Sequence, residues 1–184
     1  MYTRVMTPST LSLDPTQLSA YFVLIEASSL LKHAVEVQLQ EAGELSYVQF
    51  QLLATLGDSP SGSRRMTDLA DGVVYSRSGL TYQAQTLEKR GLVTRAPSTD
   101  DERGVNVTLT EQGRAVLAAV FPGHIALIHD LLLAPLSRAD IATLAEILGR
   151  ARDHMRQTPP RSASPRRRKV AVGDPTGERD GESA

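Results

Sequence analysis

The sequence predicts a mainly α-helical protein with a small β-hairpin. Apolar residues recur at helical spacing along most of the chain, and only residues 92–109 change to the alternating period of strands. The 184 residues are 41% hydrophobic, which is enough for a core. Because there is no cysteine, disulfides, thiolate metal sites and thiol redox switches are excluded. Residues 1–13 are polar and are expected to form an N-terminal arm rather than a secretory signal.

Capping motifs mark the first two helices. Residues 14–17 combine an N-cap aspartate, a proline at the first helical position and a capping-box glutamine. They predict a long helix that reaches about Gln40 and is ended by Gly43. Residues 46–49 form a second capping box and open a short helix, which the turn residues 57–60 close.

A pair of helices is predicted next. The first covers about residues 67–73, with Thr67 as its cap. The second runs over residues 76–90, with its apolar positions on one face, and Gly91 supplies a left-handed stop.

The hairpin follows directly. Residues 92–95 and 105–109 alternate as strands on either side of a polar loop, residues 98–104.

Two helices close the predicted fold. One runs from Thr110 to about Leu133 and contains Pro122, which is expected to kink it. The other is capped by Ser137 and carries a long apolar stripe. Since these helices and the first one hold more apolar length than one core needs, the surplus indicates an oligomer interface.

This order of elements predicts a winged helix-turn-helix, a module that places one helix in the major groove of DNA. Arginine suits the edge of guanine, glutamine suits adenine, and hydroxyls suit phosphates. The outward residues of the helix over 76–90 are Ser76, Arg77, Ser78, Thr81, Tyr82, Gln85 and Thr86. Tyr82 could instead pack under the hairpin. Arg64 and Arg65 are either phosphate contacts or solvated charges, whereas Lys89 and Arg90 are interpreted as a solvated last helical turn.

The chain resembles the MarR (multiple antibiotic resistance regulator) family over about residues 14–157. The resemblance rests on motifs in a fixed order: the start of the recognition helix at residues 76–81, the segment 87–95, and the wing with its entry into the next helix at 100–113. The short helix contributes Leu69 and Ala70. The wing carries the family's Asp-x-Arg element at Asp101 and Arg103.

The resemblance implies a homodimeric transcriptional regulator, usually a repressor, that binds a pseudo-palindromic operator. Residues 46–110 would form the winged helix-turn-helix domain, and residues 14–45 with 111–157 the helical dimerisation region. Arg103 would reach the flanking minor groove, where narrow grooves favour arginine, and Asp101 would brace the loop. The expected partners are double-stranded DNA, a second copy, and a small aromatic or phenolic effector that releases the DNA. The protein is expected to be cytoplasmic, with no membrane association.

The tail, residues 158–184, is predicted to be disordered, because proline, glycine and serine dominate it. Its six basic and four acidic residues give +2, which leaves 14 basic and 17 acidic residues, or −3, for residues 1–157. Any nucleic-acid contact must therefore come from a local basic face. The basic run 166–169 could also serve as a phosphate-binding arm.

Enzyme chemistry finds no support in the sequence. His124 and His129 are five residues apart and do not share a helix face, so no metal site or cofactor is predicted. His33 could line an effector pocket or a dimer interface. Neither a nucleophile elbow nor a phosphate-binding glycine loop occurs. The alternatives to a specific regulator are a protein-docking winged helix and a non-specific DNA binder.

Overall fold

The computed structural model describes residues 12–72, 77–98 and 104–157. The predicted fold class is confirmed, because six helices in this part of the chain surround one small sheet. The helices are α1 (Pro15–Gly43), α2 (Tyr47–Gly57), α3 (Met66–Gly72), α4 (Arg77–Lys89), α5 (Glu111–Ile128) and α6 (Arg138–Gln157), with a π-helical segment (His129–Leu133) after α5. The strands are β1 (Ser63–Arg65), β2 (Val93–Pro97) and β3 (Val105–Leu109). Residues 1–11 of the predicted N-terminal arm and the predicted tail, residues 158–184, lie outside the described residues.

The sheet has three strands rather than the two that the sequence predicts. All pairs are antiparallel and the order is β1-β3-β2. Ser63 lies opposite Thr108, and their hydroxyl oxygens are 2.9 Å apart. A three-residue strand has too few positions to show alternation, so the conformation of β1 is set by its pairing with β3.

Helix α1 runs to Gly43 rather than to about Gln40 as predicted, and the residue that stops it is a left-handed Glu44 (φ 52°) rather than Gly43. The backbone N–H of Leu45 donates to the carbonyl of Leu39 (3.1 Å), which closes the helix end. Gly43 has a different use. A Cβ atom there would lie 2.6 Å from Cγ2 of Val120, so the glycine lets α1 approach α5.

One further detail differs from the prediction. Thr67 is not the cap of α3, because the helix already begins at Met66 and the Thr67 hydroxyl instead donates to the Asp68 carboxylate (3.3 Å). Pro122 lies inside α5, which runs to Ile128 and is followed by the π-helical segment. Ser137 caps α6 as predicted, since its hydroxyl oxygen accepts from the Asp140 backbone N–H (3.2 Å).

The core sits under the sheet, where α2, α4 and α5 meet it. Gly113 in the first turn of α5 lies against the backbone carbonyl of Leu92, and a Cβ there would overlap that oxygen. The fully buried large side chains are Leu39, Leu45, Leu52, Leu53, Leu56, Leu69, Leu80, Leu87, Leu92, Val93, Val107 and Val120.

The first half of α1 and the whole of α6 stand outside this core. No described residue of α6 is buried, and α1 buries only Val35 and Leu39. The exposed apolar side chains of α1 include Leu18, Tyr21, Phe22, Val23, Leu24, Ile25 and Leu30.

Length and composition would allow Pro15–Gly43 and Glu111–Leu133 to cross a membrane. Both helices nevertheless pack on the shared core, through Val35 in α1 and through Val120 in α5.

Candidate nucleic-acid interface

Helix α4 has two faces of opposite character. Leu80, Ala84 and Leu87 repeat at helical spacing and are all fully buried, which seats the helix on the core. Ser78, Tyr82, Gln85 and Lys89 repeat on the opposite side and are all exposed. We call these four residues the outer stripe of α4. It spans 11 residue steps, or about 16 Å at 1.5 Å per residue, and it presents a hydroxyl, a phenol, an amide and an ammonium.

Burial also describes Tyr82 within the stripe and two predicted contact residues beside it. Tyr82 is 65% exposed, so the alternative that it packs under the hairpin is wrong. Thr81 and Thr86 are half-buried at the edges of the outer stripe. The Thr86 hydroxyl donates to the carbonyl of Tyr82 (3.0 Å), which leaves only its oxygen for a further contact.

Several predicted contacts fall outside the described residues. Ser76, Asp101 and Arg103 belong to this group, and so does the side chain of Arg77, whose backbone begins α4. The wing can be described up to its loop. There the Ser98 backbone N–H donates to the Gly104 carbonyl (2.8 Å) and closes the base of the hairpin.

Strand β1 brings two arginines to the outer edge of the sheet. Arg64 is exposed, whereas Arg65 is half-buried and lies opposite Asn106 of β3. The sequence-based choice between phosphate contact and solvated charge stays open for both residues. The sequence did not predict that both arginines lie on a strand. The pairing of this strand with β3 fixes their backbone.

Helix α4 is bound to its neighbours by polar contacts that sequence reasoning did not find. The Gln49 side chain in α2 donates to the amide oxygen of Gln83 (3.0 Å). The Arg95 guanidinium in β2 donates to the Glu88 carboxylate through Nε and Nη2, each at 2.8 Å, and its backbone N–H adds a third bond. These contacts hold α4 against α2 and against the wing.

The prediction that Arg90 is solvated is wrong. Its guanidinium donates to the backbone carbonyls of Glu44 (2.7 Å) and Gly43 (2.9 Å). Its Nη2 also lies 4.0 Å from the Glu44 carboxylate. Arg90 therefore joins the end of α4 to the end of α1. Lys89 is exposed, in agreement with the interpretation made from the sequence.

Two grooves lie beside these elements. A groove of about 630 Å³ runs between α2 and α5, lined by apolar side chains, with Arg114 and Asp58 at its polar side. A groove of about 520 Å³ lies at the corner between α1 and α2, and His33 is one of its lining residues.

His124 is the buried histidine of the fold. Its ring centroid lies 4.4 Å from that of Phe50, and its Nδ1 has no hydrogen-bond partner among the described residues. Burial lowers the pKa of His124 from its ordinary value of 6.5, because desolvation disfavours the charged ring. No group of three or more histidine, aspartate or glutamate side chains that could hold a metal ion occurs within residues 12–72, 77–98 and 104–157.

Comparison with known proteins fits this arrangement. The sequence profile of the MarR family matches residues 44–104, which run from the end of α1 to the wing. The transcriptional regulator PecS of Dickeya dadantii is 31% identical over 119 residues, covering 61% of this chain and 68% of PecS. The transcriptional repressor YetL of Bacillus subtilis is 28% identical over 121 residues, covering 66% of this chain and 72% of YetL.

Solved structures extend the match beyond residues 44–104 to both parts of the chain, which we call the winged-helix lobe (α2 to β3) and the helical lobe (α1, α5 and α6). Sco3205 from Streptomyces coelicolor, a MarR family transcriptional regulator solved in complex with DNA, is 30% identical, with a TM-score of 0.77 over 81% of this chain and 93% of its own. AbsC, a MarR family transcriptional regulator from the same organism, is 31% identical, with a TM-score of 0.76 over 80% of this chain and 99% of its own. The chain belongs to the MarR family of transcriptional regulators.

Proposed function

We propose that this protein is a homodimeric, sequence-specific DNA-binding repressor that a small aromatic or phenolic effector releases from a pseudo-palindromic operator. The outer stripe of α4 carries the proposal. A helix that is buried on one side and polar on the other is suited to the major groove, where amides and hydroxyls can read base edges. A protein-docking surface would need an apolar patch at this place, and Tyr82 is the one aromatic residue of the stripe.

The DNA-contacting set that we propose is the one predicted from the sequence. The stripe residues would read bases, and the arginines would supply charge toward phosphates and the minor groove. The proposed contacts are Arg65, Ser76, Arg77, Ser78, Thr81, Tyr82, Gln85, Thr86, Asp101 and Arg103. To these we add Lys89, which is exposed at the end of the outer stripe, as a phosphate contact.

Dimerisation is supported by the exposed apolar side of α1. Phe22 is 62% exposed and Ile25 is 47% exposed, and they continue a run of apolar positions at helical spacing. Water contact with so many large apolar side chains is unfavourable, so a second copy would cover them. The two recognition helices would then enter successive major grooves, about one helical turn apart. Residues 14–45 and 111–157 remain our proposed dimerisation region, in a cytoplasmic protein.

Effector binding is assigned to the groove between α2 and α5. Its walls are apolar, including Leu117 and Phe121, and the Arg114 guanidinium has no ion-pair partner among the described residues. An aromatic ring would fit the walls, and a phenolate or carboxylate oxygen would pair with Arg114. Asp58 on the same rim would disfavour a second anionic group.

The test of specific binding begins with selection of duplexes from a random library by the full chain. Fluorescence anisotropy then compares the selected duplex with a scrambled one at 50 and 200 mM salt. We expect the selected duplex to bind about a thousandfold more tightly at the higher salt. Equal and steeply salt-dependent binding to both duplexes would instead favour the non-specific binder, and no binding to either would favour protein docking.

Variants separate base reading from charge. Gln85→Ala should cost about 1–3 kcal/mol of binding free energy and relax the preference at one base position. Arg103→Ala should weaken binding to every duplex and reduce the salt slope by about one unit. Lys32→Ala on α1 is the control, because Lys32 pairs with Glu36 (3.7 Å) away from α4. If Arg103→Ala keeps the wild-type salt slope, the wing does not take part in binding.

A further inference from the structure

The corner between α1 and α2 connects the helical lobe to the winged-helix lobe. The C-terminal end of α4 contacts this corner. Helix α1 ends at Gly43, and Glu44 follows in a left-handed conformation. Leu45 is fully buried behind it, and Ser46 caps α2. The chain therefore turns within three residues between α1, the proposed dimer helix, and α2, the first helix of the winged-helix lobe.

Arg90 is fixed to this corner by geometry and by electrostatics. Its two guanidinium nitrogens donate to two adjacent carbonyls, at 2.7 and 2.9 Å. The last carbonyls of a helix lack partners within the helix and carry its negative dipole end. A planar guanidinium can satisfy two of them at once, which an ammonium cannot do with the same geometry. Arg90 is half-buried at the contact, with a side chain 30% exposed.

The contact matters because Arg90 lies at the C-terminal end of α4. It directly follows Lys89, the last residue of α4, and Gly91 then turns the chain with φ 72° into β2. The contact thus holds the C-terminal end of the recognition helix, while the bond from Gln49 to Gln83 holds its middle. Two separated points fix both the position and the direction of a rigid helix.

We infer that Arg90 is a positioning residue that sets the angle of α4 relative to α1, and thereby the half-site spacing that the dimer accepts. This inference rests on the proposed function, because spacing has meaning only for two recognition helices on one duplex. In a two-fold dimer, the separation of the recognition helices follows from how each α4 is held on its own α1. Arg90 itself need not touch DNA.

The first experiment measures the α1–α4 geometry without DNA. The chain has no cysteine, so Lys32→Cys and Gln85→Cys place one spin label on each helix, both at exposed positions. Double electron–electron resonance is recorded on labelled chains diluted with an excess of unlabelled protein, so that the signal comes from within one chain. We expect a narrow distance distribution with Arg90 present and a broader or shifted one with Arg90→Met. Lys89→Met is the matched control and should leave the distribution unchanged.

The second experiment measures spacing preference. The selected duplex is compared with duplexes whose half-sites are moved closer or apart by one base pair. Wild-type protein should prefer the native spacing by about tenfold or more, and Arg90→Met by less than about threefold, with binding to a single half-site unchanged. Lys89→Met should weaken all duplexes by a similar factor and keep the preference.

Arg90→Lys guards against a variant that fails to fold, because it keeps the charge and one donor toward the corner. It should show an intermediate spacing preference. An unchanged distance distribution in both Arg90 variants, or an unchanged spacing preference, would overturn the inference. If wild-type protein selects no duplex, the proposed function fails, while the distance measurement still decides whether Arg90 positions α4.

Discussion

The winged-helix lobe and the helical lobe of this protein bury their apolar residues to very different extents. In α4 the large apolar side chains Leu80 and Leu87 are fully buried, and its exposed side is polar apart from Tyr82. In α1 the large apolar side chains up to Leu30 are exposed, Phe22 by 62% and Leu30 by 67%. The apolar stripe of the winged-helix lobe is covered within a single chain, whereas the helical lobe leaves these side chains uncovered.

This difference in burial distinguishes the apolar stripe of α4 from that of α1, which look similar in the sequence. Both helices carry apolar residues at helical spacing, but only the structure tells which stripe is already covered. A covered stripe with a polar outer side is suited to a hydrated, charged ligand such as DNA. An uncovered stripe is suited to an apolar partner.

The largest expected effect on stability comes from a substitution that disrupts packing in the winged-helix lobe. Gly113→Ala should destabilise the protein by about 3 kcal/mol, because the new Cβ would overlap the Leu92 carbonyl and lie 2.7 Å from Cδ1 of Leu109. Gly149→Ala in α6 is the matched control. A Cβ there meets nothing within 4 Å among the described residues, so it should stabilise the helix by about 0.5–1 kcal/mol. Urea denaturation measures both, and equal effects of the two variants would contradict the comparison.

A charge on the helical lobe should separate the subunits. Phe22→Glu should weaken dimerisation about a hundredfold or more, equivalent to about 2.7 kcal/mol, because a carboxylate would have to be buried in an apolar interface. Sedimentation equilibrium gives the dissociation constant. Lys89→Glu is the control, because it changes a charge at an exposed position of α4, outside the proposed dimerisation region, and should leave the dimer intact. A fully dimeric Phe22→Glu protein would place the interface elsewhere.

A smaller, stabilising effect is expected at the corner between the lobes. Glu44 has a positive φ of 52°, a conformation that glycine adopts without cost. Glu44→Gly should therefore raise the free energy of unfolding by about 0.5–1 kcal/mol, while the backbone carbonyl that Arg90 contacts is kept. Thermal denaturation at fixed protein concentration measures it, with Glu41→Gly as the helical control, which should destabilise.

The smallest expected effect is a pH dependence in the core. Burial lowers the pKa of His124 in the folded protein. As pH falls, the unfolded chain is therefore protonated at a higher pH than the folded protein. The resulting stability is fully present above the ordinary pKa of 6.5 and is lost as pH falls below it. His124→Gln cannot titrate, so its free energy of unfolding should fall less than that of the wild type between pH 8 and 5.5. Parallel pH profiles would show that His124 is not the responsible group.

Much of the fold was predictable because its signals are local. The capping box at Ser46 and Gln49 appears in the structure as two reciprocal hydrogen bonds of 3.1 and 3.3 Å. Gly91 has the predicted positive φ. Each of these features depends on residues within one turn of the chain, so the sequence order contains the whole interaction.

The missed features depend on partners far along the chain. Arg90 bonds to carbonyls 46 and 47 residues earlier, and every residue has a carbonyl, so no residue type marks the acceptor. Strand β1 owes its conformation to pairing with β3, more than 40 residues later. In the candidate interface, burial separates the exposed Gln85 from the half-buried Thr86, which helical spacing alone placed together.

The mass of the protein–DNA complex tests the central claim most directly, since that claim assigns DNA to the winged-helix lobe and a second copy to the helical lobe. Analytical ultracentrifugation of the full chain on its selected duplex gives this mass. Two chains on a duplex that contains an inverted repeat, with half-site centres about 10 base pairs apart, are predicted. A complex that contains only one chain per duplex when the duplex is saturated with protein would contradict the account.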